Sequence, residues 1–290
     1  MKILVFGSLN IDHVYQLNHL VREGETLSSS RYEKHEGGKG LNQAIALKKA
    51  GAEVSFAGAI GQDGLFLRAF LDSAGVDTKH LKVLDAPTGH AVIQVDEEGH
   101  NAIFLYGGTN RLIDSAMIDK GLSFFGEGDY LLLQNEISGL KDLLTKARHK
   151  GIGIILNPSP ISDELLQAPL EYVDWLLLNE IEGFDITGKE APQEVLDVLL
   201  ERYPNCHIVL TLGAKGAVYA DKGQRISQAA TPTNVVDTTA AGDTFTGYFI
   251  HNKLSGRTAA QALDIAGRAA AIAVSRPGAG QSIPYANEVI

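Results

Sequence analysis

The sequence predicts an α/β fold, with a mostly parallel central sheet flanked by helices. Short apolar runs of 4–8 residues recur without polar alternation, the pattern of strands buried on both faces. Helical stretches lie between them, and that alternation is the mark of parallel strands joined by crossover helices. No tandem repeat, low-complexity tract or proline-rich linker divides the 290 residues, so one domain over 1–290 is expected rather than two.

The elements follow in order. Ile3–Phe6 reads as the first strand, because four apolar residues are too few for a secretory leader of about 7–15. Asn42–Ala50 is a helix, Val54–Ile60 a strand and Leu65–Ala74 a helix. Residues 89–106 break the alternation. Two strands, Ala91–Val95 and Ala102–Tyr106, flank the turn residues Asp96-Glu97-Glu98-Gly99 and predict a hairpin outside the parallel sheet. Ile93 and Val95 share one face, while Val92 lies on the other with Gln94. Apolar residues on both faces imply that each is covered, by a ligand on one side and a partner subunit on the other, unless this is a plain edge hairpin. Then come strands at Tyr130–Leu133, Gly153–Leu156, Trp175–Leu178 and Ile208–Leu212, and helices at Leu140–Lys150, Gln193–Tyr203 and Thr244–Lys253.

Composition narrows the function. Apolar residues make up 44% and charged residues 21%, the balance of a globular protein. With 25 basic against 35 acidic residues the formal net charge is −10, which argues against nucleic-acid or anionic-membrane partners. The single Cys206 cannot form an internal disulfide, and no apolar run nears the ~20 residues of a membrane span; both point to the cytoplasm. A Walker-type loop is excluded because Lys39 is followed by Gly40. A dinucleotide fingerprint after the first strand, His-Glu-x-x-His, a cysteine pair and Gly-x-Ser-x-Gly are missing as well.

Four segments carry chemistry. In Val236–Phe245 the small-residue loop Thr239-Ala240-Ala241-Gly242 leads into a helix, and free N–H groups there form an anion site. Asp243 within it would repel a bound phosphate, so its placement suits a general base; a helix-capping acid is the plainer alternative. In Glu36–Ala44 three glycines allow close backbone approach, and Lys39 and Asn42 offer donors; a glycine turn with Asn42 as N-cap is the alternative. Asn10-Ile11-Asp12 follows the first strand, where ligands of open α/β sheets gather; Asp12 is either a clamp for two hydroxyls or part of a turn. Asn179-Glu180-Ile181-Glu182 also follows a strand, as water-mediated Mg²⁺ ligands or as a solvated acidic turn.

Together and in this order the segments resemble the PfkB (ribokinase) family of carbohydrate kinases, from the first strand to about Pro284. Gly-Gly-Lys-Gly-x-Asn-Gln-Ala with Asp-Thr-x-Ala-Ala-Gly-Asp-Thr-Phe is a highly specific pair. The resemblance implies a ribokinase-like fold with a small β-sheet lid near 12–36 and 88–108, with strands near Val14–Leu17 and Arg31–His35, and a homodimer through that lid. It implies ATP-dependent phosphorylation of D-ribose at its 5-hydroxyl. Another sugar or a nucleoside (deoxyribose, fructose, adenosine) and a non-catalytic sensor remain alternatives. By the same resemblance Asn10, Asp12, Gly38, Lys39, Asn42 and Glu136 line the sugar pocket. Asn179, Thr211, Gly213, Gly216 and Gly242 serve ATP, and Glu182 serves Mg²⁺ through water. Ala240, Ala241 and Gly242 form the anion hole around the base Asp243. Asp237, Thr239, Ala273, Arg276, Gly278 and Ser282 match positions around an activating K⁺. The sequence departs from the family pattern at Ala240 (often Gly), Gly267 (commonly an adenine-side His) and Asn135 (usually Leu), and its end at Ile290 leaves a short last helix or none.

Overall fold

The computed structural model describes residues 1–289. Along the chain run β1 (Ile3–Phe6), β2 (Asn10–Gln16), β3 (Arg31–Gly37), α1 (Lys39–Ala50), β4 (Val54–Ile60), α2 (Leu65–Ser73), β5 (Asp77–Val83), β6 (Gly89–Val95) and β7 (Asn101–Tyr106). There follow α3 (Ser115–Leu122), β8 (Tyr130–Gln134), α4 (Leu140–His149), β9 (Gly153–Asn157), α5 (Asp163–Leu166), β10 (Trp175–Asn179), α6 (Glu180–Thr187) and α7 (Pro192–Arg202). The last elements are β11 (His207–Thr211), β12 (Ala217–Ala220), β13 (Arg225–Gln228), α8 (Ala241–Leu254), α9 (Ala259–Val274) and α10 (Ala286–Val289).

Among the described residues nine strands form one sheet in the order β13-β12-β11-β10-β9-β8-β1-β4-β5, with only β12 running against the rest. The expected α/β class is therefore observed. Unbroken apolar runs reflect a core on each face. In β1, Ile3 and Val5 pack with Leu41, Ile45, Phe249 and Leu263 on one side. Leu4 and Phe6 pack with Ile118, Leu143 and Leu196 on the other. β5 (Asp-Thr-Lys-His-Leu-Lys-Val) was not anticipated; at the sheet's edge it buries only Leu81 and shows no apolar run.

A second sheet has the order β3-β2-β6-β7, with β2 parallel to β6 and the other pairs antiparallel. Asn10 and Asp12 thus lie within a strand, which overturns the turn alternative. Asp12, Ala91 and Leu105 are register partners on one face. The other face carries an aromatic row in which His13 stacks on Tyr32, the two joined by a 2.7 Å hydrogen bond, and His90 leans on Tyr106. β7 is covered on neither face: Ile103, Phe104, Leu105 and Tyr106 are 52–59% exposed.

Helices α1 and α8 cross in close contact, and this crossing sets up the site. A methyl group added at Gly247 would stand 2.4 Å from Ala46 Cβ and 2.7 Å from Leu47 N. Gly247→Ala is expected to destabilise the protein by about 1–3 kcal/mol, as overpacking does. The check is urea unfolding: a lower midpoint at unchanged slope is expected, and a wild-type midpoint would refute the close crossing.

Candidate active site

The site forms where three chain crossings meet beyond the carboxyl ends of the strands. After β1 the chain runs through Ser8 and Leu9 into β2. α1 starts against this segment, because Leu41 N donates to Ser8 O at 3.1 Å. Gly40 permits the approach, since an added Cβ would lie 2.5 Å from Ser8 N. Gly38, with φ 101°, turns the chain into α1 without a side-chain cap. Asn42 is therefore not an N-cap; its N–H makes a helical bond to Gly38 O at 3.1 Å, and its side chain is buried.

The third crossing is the start of α8, three residues before the expected Thr244. Ala240 adopts a left-handed conformation (φ 59°), alone among the described non-glycine residues, at a cost of roughly 1–2 kcal/mol. The strain aims the first turn of α8 at the pocket. Ala241 N–H is engaged by Thr238 O at 3.2 Å. The N–H groups of Gly242 and Asp243 have no intrahelical acceptor. An added Cβ on Gly242 would meet nothing within 4 Å, so there is room before that backbone for an anion.

Asp243 projects from this turn to α1, where Asn42 Nδ2 donates to Oδ2 at 3.1 Å and Gln43 Nε2 donates to Oδ1 at 2.9 Å. Enclosure by protein pushes its pKa up, opposed by Lys39 and the two amides. Burial alone would lower the Lys39 pKa, but the carboxylates of Asp243, Glu136 and Glu182 outweigh it and hold the ammonium above its ordinary value. Glu136 Oε2 accepts from Ser8 Oγ and, at 3.2 Å, from Lys39 N. Burial pushes the Glu136 carboxyl up against the pull of Lys39. Asp12 is raised to about 7, by burial first and the Glu136 charge second. It lies on the backbone of Gly37, where an added Cβ would stand 2.1 Å from Asp12 Oδ2. Asn10 is held through Oδ1, which accepts from Asn110 Nδ2 at 2.8 Å.

The remaining expected residues form a second group. Asn179 and Thr211 are register partners at the ends of β10 and β11. Asn179 caps α6, and Glu182 returns the bond, with Asn179 N donating to Oε2 at 3.0 Å. The pair is thus a capping box rather than a solvated turn, and Glu182 is buried with Oε1 left for another donor. Gly213 and Gly216 both have positive φ; an added Cβ on Gly216 would strike Gln228 O at 2.0 Å. Neither hydrogen-bonds to Asp243 or Lys39.

Asp237 organises the third group. Its Oδ1 accepts from Thr239 N and Oγ1 at 2.8 and 2.6 Å, and its Oδ2 accepts from Gly278 N at 2.9 Å. Burial is outweighed by these donors, so the carboxyl titrates below its ordinary range. Ala273 O accepts from Arg276 N at 3.1 Å, and Ser282 Oγ donates to Ala279 O at 2.8 Å. The Arg276 side chain turns away to Glu288 at 2.6 Å, which leaves only its backbone for this site. One ionised carboxylate among carbonyl and hydroxyl oxygens suits a weakly hydrated monovalent cation. No cluster of three or more His, Cys, Asp or Glu suited to a transition metal occurs among the described residues.

Sequence reasoning missed Ser8, Gln43 and Asn110. Gln43 stands inside the motif that was singled out, yet nothing in its spacing says that it reaches Asp243.

Comparison with known proteins supplies the family. The pfkB family carbohydrate kinase model matches residues 1–286. The ribokinase of Haemophilus influenzae is 34% identical over 300 residues, covering 99% of this chain and 97% of its own. A crystal structure of ribokinase from Cryptococcus neoformans var. grubii in complex with ADP superimposes with a TM-score of 0.86 at 37% identity, over 99% of this chain and 98% of that one. The Arabidopsis thaliana ribokinase complexed with ribose and ATP gives a TM-score of 0.87 at 31% identity, over 99% and 97%.

The charge at Asp12 has a measurable cost. Its carboxyl is raised from the ordinary 3.8 to about 7 in the folded state, so the folded state binds the proton more tightly. Stability is therefore lost as pH rises through that window. Asp12→Asn removes the loss, and on the order of 2–4 kcal/mol is expected in its favour at pH 8, shrinking towards zero at pH 4. Thermal unfolding at both pH values checks this; an equal offset at both would refute the shift.

Proposed function

Because the chain belongs to the pfkB family of carbohydrate kinases, we propose that it transfers the γ-phosphoryl group of ATP to the 5-hydroxyl of D-ribose, giving D-ribose 5-phosphate and ADP. One observation carries the mechanism: Asp243 stands at the first turn of α8, beside open N–H groups, with its carboxylate held by Asn42 and Gln43.

Asp243 takes the hydroxyl proton as that oxygen attacks the γ-phosphorus in line, and ADP departs from the opposite side. A base must stay ionised yet be basic. Burial raises its proton affinity, while Lys39 and the two amides keep the carboxylate form available. The N–H groups of Gly242 and Asp243 stabilise charge on the transferring group. Asp12 accepts two neighbouring sugar hydroxyls, with Asn10, Gly38, Lys39, Asn42 and Glu136 completing the pocket. Asn179, Thr211, Gly213 and Gly216 border the nucleotide.

Glu182, through its free oxygen and water, suits Mg²⁺, which when bound neutralises charge on the phosphates. Asp237 with the carbonyls of Ala273, Arg276 and Gly278, and with Thr239 and Ser282, suits K⁺, which would brace the loop that forms the anion site. The small sheet acts as a lid over the sugar, and a second copy of the chain covers its exposed apolar residues.

ADP release across a sugar panel is the direct test. Ribose should far exceed fructose and adenosine, and 2-deoxyribose should fall about 10–100-fold in kcat/KM, because Asp12 loses a donor in a buried place. Deoxyribose equal to ribose would overturn the clamp, and no sugar-dependent release would overturn the kinase reading. Asp243→Asn should lower kcat by about 10²–10⁴-fold with little change in either KM; a rate near wild type would overturn the base. Phe104→Glu places a charge in the proposed subunit contact. Sedimentation should turn from dimer to monomer, and an unchanged mass would place the contact elsewhere.

A further inference from the structure

The amide of Gln43 is fully committed, and each partner lies on a different element. Nε2 donates to Asp243 Oδ1 at 2.9 Å and to Asn157 Oδ1 at 3.2 Å. Oε1 accepts from Gln134 Nε2 at 2.6 Å. Asn157 cannot turn over, because its Nδ2 donates to Leu177 O at 2.9 Å. Its Oδ1 must therefore face Gln43, which fixes the Gln43 amide as well. Gln43 and Gln134 are wholly buried. Three strands, β8, β9 and β10, thus tether the carboxylate of a helix on the far side of α1.

One feature looks like a defect. Gln134 Oε1 is buried with no donor, against the backbone of Gly7. Such an acceptor costs roughly 1–3 kcal/mol. Flipping the Gln134 amide would not relieve it, since its oxygen would then face Gln43 Oε1. The arrangement tolerates an orphaned acceptor to keep Gln43 pointing its N–H groups one way.

We infer that Gln43 is a positioning residue for the phosphoryl transfer, fixing Asp243 Oδ1 against the central sheet so that Oδ2 faces the sugar hydroxyl. This rests on the reading of Asp243 as base. Gln43 touches neither substrate; it acts through the carboxylate. The division of labour between neighbours follows: Asn42, on Oδ2, is exchangeable for a sugar hydroxyl, and Gln43, on Oδ1, is permanent.

The test is steady-state kinetics of Gln43→Met, which keeps length and burial and removes the donor. Expected are a kcat lower by about 10–100-fold, as for a misplaced reacting group, and KM values for ribose and ATP within about 3-fold. The acid limb of kcat/KM should move up by about one pH unit, because the ionised form of Asp243 loses a donor. Lys39 on α1 and Glu136 after β8, the other charges felt at this carboxylate, are unchanged in the variant. Gln43→Glu, which sets an oxygen against Oδ1, should shift the limb further. A limb superimposed on wild type, or a loss confined to KM, overturns the inference. If Gln43→Met does not fold, Gln134→Leu removes the anchor at one remove and should shift the limb in the same direction, by less; an unshifted limb there counts equally against it. Asp243→Asn separates the two readings. If it stays active, the base assignment falls; if it is inactive while the Gln43→Met limb is unshifted, only the positioning role falls.

Discussion

The pocket depends on one ammonium among three carboxylates. Lys39 lies in the field of Asp243, Glu136 and Glu182, which come from α8, the loop after β8 and α6. Buried acids left to themselves would hold their protons. The ammonium keeps the Asp243 and Glu136 carboxyls from rising as far as burial alone would drive them. It also links the group around Asp243 and Glu136 to the group around Asn179, since Glu182 belongs to the second. A neutral residue at position 39 would release this restraint on both groups at once.

That charge balance requires backbones to approach more closely than side chains allow. α1 packs on the segment after β1 through Gly40, and on α8 through Gly247. Both contacts bring α1 towards the residues it must meet: Ser8 and Glu136 on one side, Asp243 on the other. The left-handed Ala240 completes the arrangement, turning α8 so that its positive end and its first acid face the same space. Strain held at a functional loop is stabilised by the surrounding structure, here Asp237 with its three accepted hydrogen bonds.

Much of this was legible in the sequence, for reasons that differ by element. β1 and β4 were read to the residue, because burial on both faces removes all alternation. The hairpin of β6 and β7 was read from its turn. β3 was reached only by resemblance, since Arg-Tyr-Glu-Lys-His-Glu-Gly carries no apolar pattern on a mostly exposed strand. α9, rich in alanine, gives little contrast between faces, and α3 is short. Within the site, side chains in named motifs were found, while supports from outside them were not. Asn110 and Ser8 belong to no motif. Gln43 sits next to Asn42, and consecutive helical positions diverge by about 100°. That both amides reach one carboxylate follows from the α1–α8 crossing and from nothing local.

Two carboxylates in one pocket are separated by their surroundings, and this suits them to the different tasks proposed for them. Asp243 has an ammonium and two amide donors to favour its charged form. Asp12 has burial and the like charge of Glu136 against it, and sits near 7. A polyol that donates two hydroxyl hydrogens to Asp12 reverses that balance, since donors to the charged form lower a pKa. On the proposed reading, in which Asp12 clamps the sugar, ligand binding and ionisation of Asp12 are linked, and near neutral pH the sugar displaces a proton from that carboxyl. The same reading ties the small sheet to the sugar, because Asp12 lies in β2, in register with Ala91 and Leu105. If the small sheet is the proposed lid, an uncompensated charge in the empty pocket disfavours its closure, and a ligand that satisfies the charge favours it. On that reading discrimination and water exclusion come from the same carboxylate, while Asp243 is left to the proposed chemistry alone.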